Sequence, residues 1–237
     1  MERNKLISYS FYYRGHYDKI TRAIENNEDI MIDRNINAIT ILDEIYPKSF
    51  LDLKSPPYVL YYKGNLDLLK GDKIGVVGSR KPCDYSIKCT KNLILNNQDK
   101  VIVSGLAKGI DAYAHYYAKK TIGILGCGID YIYPKCNYEL IKRVERNGLI
   151  LSEYPLDTKP YAYHFPFRNR LIAALSKVVY VMQSNIKSGT VTTVNEALEL
   201  GKEIRVLPYD AFDLNGIGNN TLINEGASMI LYEEIAF

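Results

Sequence analysis

The chain repeats one pattern: a short apolar run, a turn of small residues, then a segment with apolar residues at helical spacing. Lys73–Gly78 (KIGVVG) runs into Gly78–Ser79–Arg80, and Ser86–Asn97 follows with Ile87, Leu93 and Ile94 at helical intervals. Lys100–Ser104 (KVIVS) runs into Ser104–Gly105–Leu106 ahead of Ile110–Lys120. Thr121–Leu125 (TIGIL) runs into Gly126–Cys127–Gly128 ahead of Tyr138–Arg146. Leu149–Ser152 and the β-branched Lys177–Met182 continue the series, the latter before a helical segment at Val191–Gly201. Ile204–Pro208 and Ser228–Tyr232 are shorter strand candidates. Strands alternating with helices of this length fold as βαβ units, and continuous apolar strands are buried on both faces. With right-handed crossovers the pattern predicts an α/β fold, extended and Rossmann-like, with a mostly parallel sheet and helices on both faces.

Residues outside this pattern are limited. Residues 1–34 are polar and rich in Tyr and Asn, with a helix expected at Asp18–Ile32, and read as a small N-terminal helical region. Residues 35–72 contain Pro47, Pro56, Pro57 and two extended pieces, Tyr58–Tyr62 the clearer, and read as a lead-in extension to the domain 35–237.

Composition narrows the function classes. The 237 residues are 47% hydrophobic and 24% charged, ordinary for one folded core and against wholesale disorder. No apolar run approaches the ~18–20 residues of a membrane span, and MERNKLISYSFYYRGHYDK has no apolar signal region. A cytoplasmic protein is expected. Cys83, Cys89, Cys127 and Cys136 show no C-x-x-C pairing, and the histidines are His16, His115 and His164 only. That set favours reduced thiols over a zinc site or a disulfide framework, so no metal and no cofactor is expected. A net charge of +3 does not mark a nucleic-acid binder, so any polyanion site must be a local cluster.

Ligands of an open parallel sheet bind outside the carboxyl ends of its strands. Those ends carry Gly78–Ser79–Arg80, Ser104–Gly105–Leu106, Gly126–Cys127–Gly128 and Ser188–Gly189–Thr190. With them comes Phe165–Pro166–Phe167–Arg168–Asn169–Arg170, read as a loop entering the first turn of a helix. Small residues admit backbone N–H groups to an oxyanion, guanidinium forks hold phosphate, and a phenylalanine offers a base a stacking face. Lys108 and Lys159 are further phosphate-contact candidates. No G-x-G-x-x-G follows the first strand and no G-x-x-x-x-G-K-[ST] occurs, which argues against a dinucleotide enzyme or a Walker-type NTPase. His164 has no partnered nucleophile in sequence and reads as a solvated loop residue rather than a general base. Asp111 either caps the following helix, the simpler account, or orients Arg80 or Arg170. Glu153 is open in the same way.

The order of the pieces resembles the DNA-processing protein A (DprA/Smf) family. The carrying segments are GVVGSR at 75–80, VSGLAKGIDAYAH at 103–115, TIGILGCGIDYIYP at 121–134 and GLILSEYP at 148–155. FPFRNRLIAALS at 165–176, SGTVTT at 188–193 and TLINEGA at 221–227 follow collinearly, so the resemblance covers about residues 35–232. It implies a single-stranded DNA-binding protein of DNA processing and natural transformation. It also implies protection of the incoming strand, help in loading the RecA recombinase, a homodimer and no established catalysis. Carried over by motif, the binding residues are Ser79, Arg80, Lys81, Phe165, Arg168, Asn169 and Arg170, with Gly105, Gly126, Cys127, Ser188, Gly189 and Thr190 on the rim. Three departures accompany the resemblance. No C-terminal winged-helix domain follows, the N-terminal helical region is short, and Tyr209 stands where a Val-Pro-Gly turn is usual, so a reshaped loop is expected there. The alternative is a nucleotide hydrolase of the lysine decarboxylase-like phosphoribohydrolase group, with signature P-G-G-x-G-T-x-x-E. Here Glu196 lies six residues beyond Thr190 rather than three, on another helix face.

Overall fold

The computed structural model describes residues 2–32 and 36–236. Its sheet has nine strands among the described residues: β1 (Ala38–Thr40), β2 (Val59–Gly64), β3 (Lys73–Gly78), β4 (Val101–Ser104), β5 (Thr121–Ile124), β6 (Leu149–Ser152), β7 (Val178–Gln183), β8 (Glu203–Val206) and β9 (Ser228–Met229). They lie in the order β1-β2-β6-β5-β4-β3-β7-β8-β9. All pairs from β6 to β9 are parallel, while β1–β2 and β2–β6 are antiparallel. The lead-in thus completes the sheet by adding two antiparallel strands at one end. Both edges are short, β1 of three residues and β9 of two, which limits pairing with another chain.

Helices cover both faces: α1 (Arg3–Tyr12), α2 (Tyr17–Glu25), α3 (Asp84–Asn96), α4 (Ile110–Tyr117), α5 (Tyr138–Asn147), α6 (His164–Leu175), α7 (Gly189–Glu199), α8 (Ile217–Asn224) and α9 (Tyr232–Ile235). Strand alternation sorts the core. Val77, Val103, Ile122, Leu151, Val179 and Val181 face α6 and α7. Val76, Ile102, Tyr180 and Met182 face α3 and α4 on the other side. On that second side Tyr61 and Ile150 meet α5 and also Leu6 and Ile7 of α1, so the first helix shares the core of the sheet.

Several expected boundaries shift for local reasons. The helix expected at Asp18–Ile32 stops at Glu25, where Asn27 adopts φ +48° and Glu28 N–H donates to Ala23 O at 3.0 Å. This is the hydrogen-bonded stop that asparagine tolerates. The expected boundary between residues 34 and 35 lies outside the described residues. The strand expected at Ser228–Tyr232 ends at Met229, and Tyr232 opens α9. Neither α1 nor α8 is predicted from sequence. In α1 five successive residues, Leu6–Ser10, are buried, which erases amphipathic spacing. In α8 the run IGNNTLIN is rich in poor helix formers, and Asn219 pins it by donating to Leu207 O at 2.8 Å and Val181 O at 3.2 Å. Tyr209 packs its ring edge-on to Tyr85 at 5.1 Å and donates its hydroxyl to Met182 O at 2.9 Å.

Candidate functional site

The winding of the sheet reverses between β3 and β7. The chain leaving β3 turns to α3 on one face, and the chain leaving β7 turns to α7 on the other. Their carboxyl ends therefore part and open a crevice, the position at which doubly wound sheets bind ligands. A cleft of about 580 Å³ occupies it. Its walls are Gly78–Arg80 after β3, the stretch Ser184–Thr190 leading into α7, and one side of α6.

The α6 wall corrects the reading of Phe165–Arg170 as a loop. These residues lie inside the helix from its second position, with Pro166 in the first turn where a missing N–H costs nothing. Helical spacing then decides which side chains reach the cleft. Phe165, Arg168, Asn169 and Ile172 share a face at i, i+3, i+4 and i+7 and line it. Arg170, five residues from Phe165, is rotated by about 140° and does not.

Arg170 is a second correction. Its guanidinium is 4% exposed and grips both carboxylate oxygens of Glu153, at 2.8 and 2.6 Å. It also donates to Ser55 O at 3.2 and 3.0 Å and to Phe167 O at 2.8 Å, while the Phe167 ring lies 3.6 Å from its centre. All five of its N–H donors thus have partners inside the protein, and none is left for phosphate. Glu153, left open by sequence, is the counter-ion.

Arg168 forms the cleft floor and is also buried, at 3% exposure. One of its terminal nitrogens donates to Gly105 O at 2.8 Å and to Ile124 O, while Nε has no partner among the described residues. A Cβ on Gly105 would overlap that guanidinium, so the glycine admits it. Asp111 sits beside it. Burial pushes its carboxyl above the usual range, while the Arg168 charge and N–H bonds from Gly105 at 3.1 Å and Ala107 at 3.4 Å pull the other way. Asp111 therefore braces the turn after β4 instead of capping α4.

The remaining expected residues divide by depth. Ser79, Arg80, Ser188, Gly189 and Thr190 line the cleft. Gly105 and Gly126 do not line it but back Arg168 and Phe165, while Cys127 is buried in the cluster with Leu6, Leu125 and Ile141, and burial pushes its thiol up to about 12, so it stays protonated. A Cβ on Gly126 would meet the Phe165 ring at 2.8 Å, which makes that glycine the seat of the ring. Lys81, Lys108 and Lys159 are exposed outside the cleft, without ion pairs among the described residues.

Arg80 is exposed and unpaired among the described residues, with its guanidinium 5.8 Å from the Phe165 ring centre. Tyr133 flanks the same ring at 5.4 Å between centroids. Opposite them α7 presents its N-terminus, where Gly189 opens onto free space and favours negative charge. Sequence reasoning missed Tyr133, Ser184 and Asn185. Ser184 and Asn185 directly follow the carboxyl end of β7, the signal by which the glycine turns were found, whereas Tyr133 lies nine residues past β5 and carries no such signal.

Three hydroxyls of the cleft are partnered within the loops that carry them. Ser184 and Ser188 share a hydroxyl–hydroxyl bond at 2.9 Å, Ser79 Oγ accepts from Lys81 N–H at 3.0 Å, and none of the three hydroxyls meets a His or carboxylate among the described residues. His164 corrects a third expectation. It is buried at 2% exposure rather than solvated, stacked on Tyr154 at 3.8 Å, and burial pushes its pKa down to about 4. Among the described residues no group of three or more metal-ligating side chains converges, and no helix is long and apolar enough to cross a membrane.

Known proteins share this fold. The chain is 40% identical over 198 residues to the DNA processing protein DprA of Streptococcus pneumoniae, covering 81% of this chain and 70% of the relative. It is 40% identical over 228 residues to that of Bacillus subtilis, covering 93% and 75%. The X-ray structure of the S. pneumoniae protein superimposes with a TM-score of 0.83 at 32% identity, over 95% of this chain and 92% of that one. The DNA processing protein A of Helicobacter pylori, described for its single-stranded DNA binding mode, superimposes with a TM-score of 0.77 at 38% identity, over 83% and 92%. The family model for DNA recombination-mediator protein A matches residues 37–236, the whole sheet with its cleft, and the chain belongs to that family.

Proposed function

We propose that the cleft binds single-stranded DNA without strong sequence preference, in the service of DNA processing and natural transformation. The carrying observation is the unpaired Arg80 guanidinium beside the half-exposed Phe165 ring, facing the N-terminus of α7. A cation next to a flat ring takes one phosphate and one base of a flexible strand, and a duplex cannot splay its bases onto that ring. Membership of a family with a member described for single-stranded DNA binding supports the same reading. Ser79, Asn169, Ser188, Gly189 and Thr190 supply hydrogen bonds, Arg168 supplies buried positive charge to the floor, and Lys81, Lys108 and Lys159 draw the strand in from outside. Gly105 and Gly126 shape the cleft by seating Arg168 and Phe165, and Cys127 follows that second glycine in the core.

We read the activity as binding rather than catalysis; in support, Ser79, Ser184 and Ser188 in the cleft have no His or carboxylate partner among the described residues. Glu196, the carboxylate that the hydrolase alternative would employ, does not line it. In this proposal the protein works as a cytoplasmic homodimer that protects the strand and hands it to the RecA recombinase. The test is competition: a labelled oligo(dT) of ~20 nucleotides on the protein, chased with unlabelled oligo(dT) or with duplex. Displacement by the single strand at far lower concentration is expected. Equal displacement by duplex overturns the reading.

A further inference from the structure

We propose that the strand does not end in the cleft but continues over a second stacking platform, made by Tyr161 and Tyr163 and extended by the N-terminal helices. The inference rests on the single-strand reading of the cleft. Tyr161 and Tyr163 are 47% and 57% exposed, so both present ring surface to solvent. Their rings are stacked at 5.7 Å and 10°, and Tyr163 lies 6.3 Å from the exposed His16 ring at the start of α2. Pro160 and Ala162, chain neighbours of the two tyrosines, line the cleft itself, so the segment that carries the platform is part of the cleft wall.

The platform is held from below. Buried His164 meets Tyr163 edge-on at 4.6 Å and Tyr161 edge-on at 5.3 Å, and is backed by Tyr154. A preformed surface of this kind loses little conformational freedom when a base lands on it. A groove of about 270 Å³ opens between Tyr12 and Arg14 at the end of α1 and Pro155, Asp157 and Thr158, and Thr158 leads through Lys159 into Pro160 of the cleft wall. Arg14 lines the groove and Lys159 follows Thr158 in the chain, both exposed and without ion pairs among the described residues; Asp157 also lines the groove. Flat exposed rings with unpaired cations close by in the chain, next to the cleft wall, suit a sequence-tolerant single strand.

The experiment compares oligo(dT) of ~5 nucleotides, enough for the cleft, with oligo(dT) of ~20. The Tyr161→Ala/Tyr163→Ala variant should bind the long strand at least ~5-fold more weakly and the short strand as the wild type does. Arg80→Ala should weaken both. On the unaltered protein, a 5-bromodeoxyuridine-substituted long strand should photocrosslink to Tyr161 or Tyr163, which avoids any question of folding in the variant. Unchanged long-strand affinity in the tyrosine variant, or crosslinks confined to the cleft residues, overturns the platform while the cleft reading stands. Failure of the wild type to bind either strand overturns both.

Discussion

Two arginines two positions apart on α6 do different work, and the difference is measurable. Arg170 is held by Glu153 inside the protein. Removing one partner of a buried pair leaves an uncompensated charge, so Arg170→Ala should lose about 3–5 kcal/mol of stability. At this chain length that is a fall of roughly 6–20 °C in Tm. Replacing both partners, Arg170→Met with Glu153→Leu, should restore most of it, because two apolar groups leave no orphan charge. A single variant that melts like the wild type contradicts the assignment. The arginines, the phenylalanine and the asparagine of this segment were legible as a set from residue types alone. Their division into cleft and core was not, because it depends on the segment being helical from Phe165 onward. Once it is a helix, spacing alone separates Arg168 from Arg170.

At the scale of elements, the cleft exists because glycine turns let α6 approach the ends of β4 and β5. Gly126 receives the Phe165 ring, so Gly126→Ala should push the ring off its seat and weaken binding. Phe165→Ala should cost about 1–3 kcal/mol of strand affinity if the ring stacks on a base. Since both changes act through one ring, the double variant should bind no more weakly than Phe165→Ala alone, which a double-mutant cycle reads directly. Additive losses would assign Gly126 a separate contact with the strand. The core strands were legible because burial on both faces makes them continuous apolar runs, as in GVVG and VIVS. The helices α1 and α8 were not, since tertiary contacts rather than amphipathic spacing or propensity hold them. Tyr133 was missed because it lies nine residues past the end of β5 and returns to the cleft only through folding.

For the whole molecule, the buried polar floor behind the cleft sets an acid limit. His115 is 0% exposed, bonded through Nδ1 to Thr121 Oγ1 at 2.6 Å, and burial pushes its pKa down to about 3. The unfolded chain takes up that proton near pH 6.5, whereas the folded chain does so only near 3. Stability should therefore fall as pH drops through that window, by up to about 1.4 kcal/mol per pH unit from this group. Asp111, with its pKa raised, acts in the opposite sense above its usual value, so the histidine's part is isolated by comparing denaturant unfolding of the wild type and His115→Asn across the window. A shallower slope in the variant is expected, and identical slopes contradict it. The central claim is that the cleft at the β3–β7 divide is where single-stranded DNA binds, with Arg80 as its free cation. Fluorescence anisotropy of a labelled ~20-nucleotide oligo(dT), titrated with wild type and Arg80→Ala at several salt concentrations, tests it most directly. The account predicts a loss of about 1.5–3 kcal/mol in the variant and a log–log salt slope shallower by about 0.7, one phosphate contact fewer. Equal affinity and equal slope for the two proteins would contradict it.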